Sequence, residues 1–262
     1  MCNHFFDHNA WSLNLGLGAG LACGFLNTAA SSGSAVSLPI LMLVGLDPLS
    51  ANATNRIPVL LGAVSASMSF HTKKALPWPM AFKVALPSAV GSLAGAVLSE
   101  FLAPREVGLV ITAALFVALA LLFSKVKQAI EQVTTEAAHF GFREALIFAA
   151  IGVWLGFIVL DGATYLLLAL TLAVGLNLLQ ANAIKSAVLV PTTFIAMIVF
   201  AYKGNIDWDV GLFMGLGSVL GGVLGARVAT APKAKRYIFG LLVVVISAEL
   251  VELILHYVLR VV

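Results

Sequence analysis

Displaced along itself by 130 positions, with no gap, the chain meets its own pattern again. Gly45-Leu46-Asp47-Pro48-Leu49-Ser50-Ala51-Asn52-Ala53 falls on Gly175-Leu176-Asn177-Leu178-Leu179-Gln180-Ala181-Asn182-Ala183. The same register carries Phe70 onto Phe200, Lys73 onto Lys203, Trp78 onto Trp208, Ser88 onto Ser218, Gly91 onto Gly221 and Gly95 onto Gly225. An ungapped match of this length indicates a duplicated unit, so the fold must be one that can be built twice from one chain.

The surroundings of that unit follow from its polarity. The sequence is 61% hydrophobic and 10% charged, against about 25% charged residues in a soluble domain. So few charges cannot cover a water-facing surface. Apolar runs of spanning length recur at Leu49–Phe70, Pro79–Leu102, Val107–Phe123, Leu179–Phe200, Val210–Val228 and Tyr237–Leu255. Each meets or approaches the ~20 residues a transmembrane helix needs. The expected class is an all-α polytopic membrane protein with no soluble domain. Two copies of one unit in a membrane suggest a transporter whose site lies between them.

The net charge of +3 reads as membrane orientation, and no basic patch interleaved with aromatics suggests nucleic acid. Cys2 and Cys23 are too few for a disulfide framework or a metal site, and no cofactor is implied. Met1–Ala10 lacks the Lys or Arg of a signal-peptide n-region, so the first apolar segment is expected to be retained.

That first segment, Trp11–Leu46, does not fit one crossing. Asn27-Thr28-Ala29-Ala30-Ser31-Ser32-Gly33-Ser34 interrupts it, and the apolar stretch that follows, Ala35–Leu46, has twelve residues. That is roughly 18 Å of helix against a hydrocarbon core of about 30 Å. The second copy repeats the pattern: Leu146–Leu160 is interrupted by Asp161-Gly162-Ala163-Thr164, and Tyr165–Leu176 again has twelve residues. Two short arms around a polar turn predict a broken-helix hairpin, which is tolerated at membrane depth only inside protein or along a watery cavity.

Loop charges orient the spans. Lys73 and Lys74, then Lys125, Lys127 and Arg143, then Lys233, Lys235 and Arg236 mark three positive loops; the others hold only Arg105 and Lys203, and Arg260 ends the chain. Positive loops stay in the cytoplasm. The loop after Phe70 is then inside and its counterpart after Phe200 outside, which makes the repeats inverted. Each would be a hairpin plus three transmembrane helices, with both termini outside. The expected division is a first repeat at 1–124, a cytoplasmic linker at 125–142 and a second repeat at 143–262. The mixed charges of the linker suit a solvated surface helix.

Two clusters could carry chemistry. Asn52 and Arg56, spaced i, i+4, and Asn182 and Lys185, spaced i, i+3, place an amide and a cation on one helix face in each copy. Ionisable residues inside a span are functional candidates; the plainer reading is that both cations snorkel to the interface. Amides and cations together suit an oxyanion such as sulfite, a sulfonate or a carboxylate. The hairpin turns supply Asn27, Thr28, Ser31, Ser32 and Ser34, with Gly33 permitting close backbone approach. If Ala35 and Tyr165 open half-helices, their N-termini can attract an anion, although the hydroxyls can equally serve as caps. Asp161 is the sole acid in the second turn, beside Thr164. It is a candidate proton carrier, a partner for Lys185 or Arg56, or an N-cap. Gly91-x3-Gly95, Gly217-x3-Gly221-x3-Gly225 and Gly16, Gly18, Gly20 and Gly24 suit close helix packing. Trp78 and Trp208 suit interface anchors.

Each copy thus has a Gly/Ser-rich broken segment, then G-L-x-x-L-x-A-N-A, then a G-x-x-x-G helix opened by Trp; the second adds Tyr202-Lys203-Gly204-Asn205-Ile206-Asp207-Trp208. In this arrangement, over nearly the whole chain, it resembles the TauE/SafE sulfite-exporter family, also known as the toluene-sulfonate uptake permease group. It departs at Ala30-Ser31-Ser32-Gly33, where many relatives have consecutive glycines, and at Trp78-Pro79, which lacks the acid of Trp208-Asp209. The resemblance implies a multi-pass protein of the prokaryotic inner membrane. Its expected role is secondary carriage of small anions such as sulfite, thiosulfate, sulfoacetate or small carboxylates. An anion channel is the alternative. Ser31-Ser32-Gly33 faintly resembles the serine turn of rhomboid proteases, but that chemistry needs a His at membrane depth, and His71, His139 and His256 do not suit it. Without an ATP-binding loop the chain cannot act alone as a primary pump. Proton coupling and homo-oligomer formation stay open at this stage.

Overall fold

The computed structural model describes residues 10–103, 105–113, 139–160 and 162–229, with side chains from Gly16 onward. The helices are α1 (Ala10–Ala30), α2 (Ser34–Leu43), α3 (Pro48–Thr54), α4 (Arg56–Thr72), α5 (Trp78–Ser99), α6 (Phe142–Phe157), α7 (Gly162–Leu172), α8 (Leu178–Lys203) and α9 (Trp208–Val228), with a further helical stretch at 105–113. There is no strand among the described residues. Three of these helices, α5, α8 and α9, are long and apolar enough to cross a bilayer. Phe82, Leu86, Val90 and Leu93 lie exposed along the outer side of α5, a surface that only lipid would cover favourably. The expected span Tyr237–Leu255, much of Val107–Phe123 and most of the linker lie outside the described residues, as do Asp161 and the charges of the Lys233 loop.

Both expected breaks are present. α1 ends at Ala30, followed by Ser31 at φ 62, and α6 ends at Phe157, followed by extended Ile158. The arms after them have ten residues in α2 and eleven in α7, roughly 15–17 Å, too short to cross. They begin at Ser34 and Gly162 rather than at Ala35 and Tyr165. Gly162 lies two residues before the position that the 130-residue register pairs with Ser34, so the duplication is not in register through its breaks.

Beyond the arms the register is restored. Gly45 at φ 98 and Gly175 at φ 82 occupy the left-handed region that closes a helix at little cost only for glycine. Two residues on, Asp47 accepts from the N–H groups of Leu49 and Ser50, and Asn177 from that of Gln180. The recurring G-L-D/N motif is therefore one helix stop followed by one N-cap.

The expected single helix over Leu49–Phe70 is corrected: it divides at Asn55 into α3 and α4, whereas α8 runs unbroken for 26 residues. Pro58 lacks an N–H, and its ring conflicts with the carbonyl four residues earlier, that of Thr54. The register places Val188 at the matching position, and Pro191 further along α8 does not interrupt it.

The two halves of the chain interlock. The most extensive packing joins α1 to α9 and α5 to α6, and α9 to α4 and α8 to α5 follow; each pair takes one helix from each half. Glycines allow this approach. A Cβ on Gly221 would collide with the Leu21 carbonyl, and one on Gly95 with the Val153 carbonyl. The fit is reciprocal, since Gly24 and Gly156 have equally little room against the carbonyls of Ser218 and Ser92. Hydroxyls add bonds across the seams, Ser218 to the Pro58 carbonyl at 2.6 Å and Ser92 to the Thr192 carbonyl at 2.7 Å.

The two ends of the bundle are tied differently. Where α5 begins, Lys73 Nζ donates to the Ala226 carbonyl near the end of α9 at 3.1 Å, and Trp78 Nε1 donates to His71 Nδ1. Where α5 ends, Asn205 Nδ2 donates to both carboxylate oxygens of Glu100, at 2.9 and 3.0 Å. The 22 residues between them span roughly 33 Å.

Candidate functional site

The two breaks meet inside the bundle. Thr164 Oγ1, in the first turn of α7, donates to the Ser31 carbonyl at 3.0 Å. Ile158 and Leu160 of the second break pack into one cluster with Leu26, Ala35, Val36 and Leu38 of α1 and α2. Trp154 Nε1 donates to the Leu160 carbonyl at 2.8 Å and braces the second turn; as a lone Trp in an apolar run it carries no motif that would have singled it out.

Each break receives a cation from the other half. Lys185, fully buried on α8, donates to the Asn27 carbonyl at 2.9 Å and to Ser31 Oγ at 2.8 Å, with the Thr28 carbonyl at 3.5 Å. Arg56, fully buried at the start of α4, donates through Nη1 to the Leu155 carbonyl and through Nη2 to the Gly156 carbonyl at 2.9 Å. Asn52 supports it, accepting from Arg56 Nη2 at 3.2 Å and donating to the Phe157 carbonyl at 2.9 Å. The Phe200 ring lies under the guanidinium, 5.2 Å from its carbon.

The chemistry of this exchange is that of a helix end. The last four carbonyls of a helix lack partners in the helix, and the macrodipole concentrates negative charge there. Cutting a transmembrane helix at mid-depth exposes such an end where no water can satisfy it. Lys185 and Arg56 close those ends for α1 and α6. Neither cation snorkels. Among the described residues no carboxylate pairs with either, and the described partners are neutral carbonyls, one hydroxyl and one amide. Such charges cost several kcal/mol each to bury, and the carbonyls offset only part of that.

The predicted residues divide accordingly. Asn27 (through its carbonyl), Ser31, Thr164 and Lys185 form one linked group, and Asn52 and Arg56 form the other. Asn182 is buried near Lys185 with its Oδ1 unpartnered. Ser32 turns its hydroxyl to the Ala30 carbonyl. At Gly33 a Cβ would meet the Cys23 carbonyl and Asn27, so its smallness serves the seating of α2 on α1. Ser34 is buried and its hydroxyl unpartnered. Asp161 lies outside the described residues.

Asn55 and Ser37 also belong to this region. Ser37 Oγ donates to Asn55 Oδ1 at 2.7 Å, and both residues are fully buried. A signal for Asn55 existed, since the 130-residue register sets it opposite Lys185.

Comparison with known proteins agrees with this architecture. The sulfite exporter TauE/SafE family model matches residues 16–250. The chain is 30% identical over 237 residues to "Probable membrane transporter protein ORF9" of Sinorhizobium sp, covering 90% of each chain. It is 26% identical over 227 residues to "Probable membrane transporter protein YfcA" of Escherichia coli K12, covering 86% of this chain and 83% of that one. A "Probable membrane transporter protein" of Haemophilus influenzae is 28% identical over 213 residues, 79% of this chain and 81% of the other. No solved structure matches the chain significantly. With the family model spanning most of the sequence and relatives of this kind matching nearly end to end, the chain belongs to the TauE/SafE sulfite exporter family and is a multi-pass membrane transporter of the cell membrane.

Proposed function

We propose that this transporter is a secondary carrier of small anions of the sulfite and organosulfonate class (sulfite, thiosulfate, sulfoacetate) or of small carboxylates. It works by alternating access around an anion site where the two breaks meet. One observation carries the reading: Arg56 and Lys185 bring two buried positive charges from opposite halves to two interrupted helices, and no described carboxylate neutralises them. A small anion entering there would supply the missing counter-charge, and its binding would be strengthened by the low local dielectric.

The halves act in this proposal as inverted repeats, 1–124 and 143–262, joined by the linker 125–142. The ties at the bundle ends support the inversion. The loop after α4 reaches the end of α9 at one end of α5, while the loop after α8 reaches Glu100 at the other. Because each cation is anchored in one half and its carbonyls in the other, rocking one half against the other alters both caps together. The anion would be held in the field of the two cations while the rocking of the halves opens the site first to one side of the membrane and then to the other. Proton coupling through Asp161 belongs to the same proposal, as does substrate contact by Asn27, Ser31, Ser32, Gly33, Ser34, Asn52, Thr164 and Asn182.

The test is uptake of labelled sulfite and sulfoacetate into vesicles holding the purified protein, with and without an imposed pH gradient. Saturable accumulation above protein-free vesicles is expected, and a rise with the gradient would mark proton coupling. Failure to move either sulfur anion or a small carboxylate would refute the anion-carrier reading.

A further inference from the structure

The cation–carbonyl network leaves a set of neutral polar groups without protein partners. Ser34 opens α2, and its buried hydroxyl has none. Ser37 lies three residues on, on the same face, and its hydroxyl reaches Asn55 Oδ1 at 2.7 Å and the Gly33 carbonyl at 3.3 Å. Asn55 is fully buried, and its Nδ2 amide has no partner. Either orientation of that amide leaves one of its polar groups unsatisfied; with Oδ1 on Ser37, the spare group is a donor. A buried amide or hydroxyl without a partner is costly, so such groups at the start of a ten-residue helix are suited to a ligand.

The cations are the poorer ligands. Lys185 directs its ammonium to Asn27, Thr28 and Ser31, and both terminal nitrogens of Arg56 are engaged. Arg56 Nε is buried without a partner, but contact through the Lys185 ammonium or the terminal nitrogens of Arg56 would require uncapping a helix. Ser34 and Asn55 sacrifice no protein bond by their spare groups, and the N-terminal end of α2 adds a positive partial charge. The halves also differ here: the register pairs Asn55 with Lys185, and the second arm opens on Gly162 where the first opens on Ser34, so the second half does not duplicate this neutral set.

The geometry points to a neutral oxyanion subsite made by Ser34 Oγ, Asn55 Nδ2 and the N-terminus of α2, which receives the oxygens of a sulfonate- or sulfite-type group. Arg56 and Lys185 remain on the helix carbonyls and supply the electrostatic field. The inference rests on the proposed anion transport and specifies where in that site the oxyanion is held.

Sulfoacetate and sulfite serve as probes, titrated calorimetrically into the purified full-length protein, with uptake measured in parallel. The variants are Ser34→Ala and Asn55→Asp. Ser34→Ala breaks no protein hydrogen bond, so its melting temperature should match the wild type while affinity falls about tenfold or more, the effect of one lost bond to a charged group. Asn55→Asp places a carboxylate oxygen where the amide donor stood and should weaken binding further. If the wild type binds and transports these anions and Ser34→Ala binds them as tightly, the subsite is wrong and the transport reading stands. If Asn55→Asp does not fold, Ser34→Ala decides alone. If the wild type neither binds nor moves either anion, the transport reading for sulfur anions falls and takes this inference with it.

Discussion

Replacing Arg56 by Lys keeps the charge and most of the side-chain volume but removes the planar fork. The guanidinium now reaches three acceptors, the Leu155 and Gly156 carbonyls and Asn52 Oδ1. An ammonium on a shorter stem can hold one of them well, so about two bonds are lost. Bonds to charged groups contribute about 1.5 kcal/mol each at the low end, which gives about 3 kcal/mol. Interhelical hydrogen bonds in membrane bundles average nearer 0.6 kcal/mol, because the unfolded chain in the membrane also finds partners, and this sets a floor of about 1 kcal/mol. The upper figure should be approached here, since the freed carbonyls are at a buried helix end with no other donor assigned to them. At about 2–4 °C per kcal/mol for a chain of this size, Arg56→Lys should melt about 2–12 °C below the wild type, toward the upper end of that range. Melting of the purified protein followed by size-exclusion recovery after heating measures this. A midpoint within about 1 °C of wild type would refute the argument that the guanidinium closes the end of α6.

Four further outcomes follow from the packing, the turns and the proposed topology. Gly221→Val sets a branched side chain against the Leu21 carbonyl and should abolish recovery of monodisperse protein on gel filtration. Gly18→Ala, where nothing lies within 4 Å, should be neutral or stabilise by up to about 1 kcal/mol through helix propensity. Gly45→Ala and Gly175→Ala force a side chain to φ 98 and φ 82, at a cost of about 1–2 kcal/mol each, seen as separate drops in melting temperature that add in the double variant. Single cysteines at Lys73 and Lys203, in a background without Cys2 and Cys23, should react with an impermeant thiol reagent on opposite sides of the membrane; equal labelling in intact cells would overturn the inverted arrangement.

Much of the fold was legible before any coordinates. Low charge and spanning-length apolar runs dictate a helical membrane protein, because no other element satisfies its own backbone in lipid. The glycines at 45 and 175, with an Asx residue two places on, mark a helix stop and the next start by local chemistry alone. The breaks were visible as polar turns before arms too short to cross. The division at Asn55 follows from Pro58, a local signal within an otherwise continuous apolar run. Asn27, Ser31, Asn52, Arg56, Thr164 and Lys185, all singled out by the sequence, gather at the two breaks. Arg56 and Lys185 suggested anion ligands or snorkelling side chains, and in the folded protein they close helix ends.

The difference lies in the range of the interactions. Polarity and turn chemistry are properties of neighbouring residues, so the sequence by itself determined the membrane class and the helix stops and starts at Gly45 and Gly175. The partners of Arg56 stand 99 and 100 residues away, and those of Lys185 up to 158. Such contacts exist only because α1 packs on α9 and α5 on α6, backbone against backbone at the glycines, which sends each half's cation into the other half's break. The tertiary structure decided which carbonyls the cations close and which donors, Ser34 and Asn55, remain unpartnered, because a buried polar group takes the partner that long-range packing brings to it.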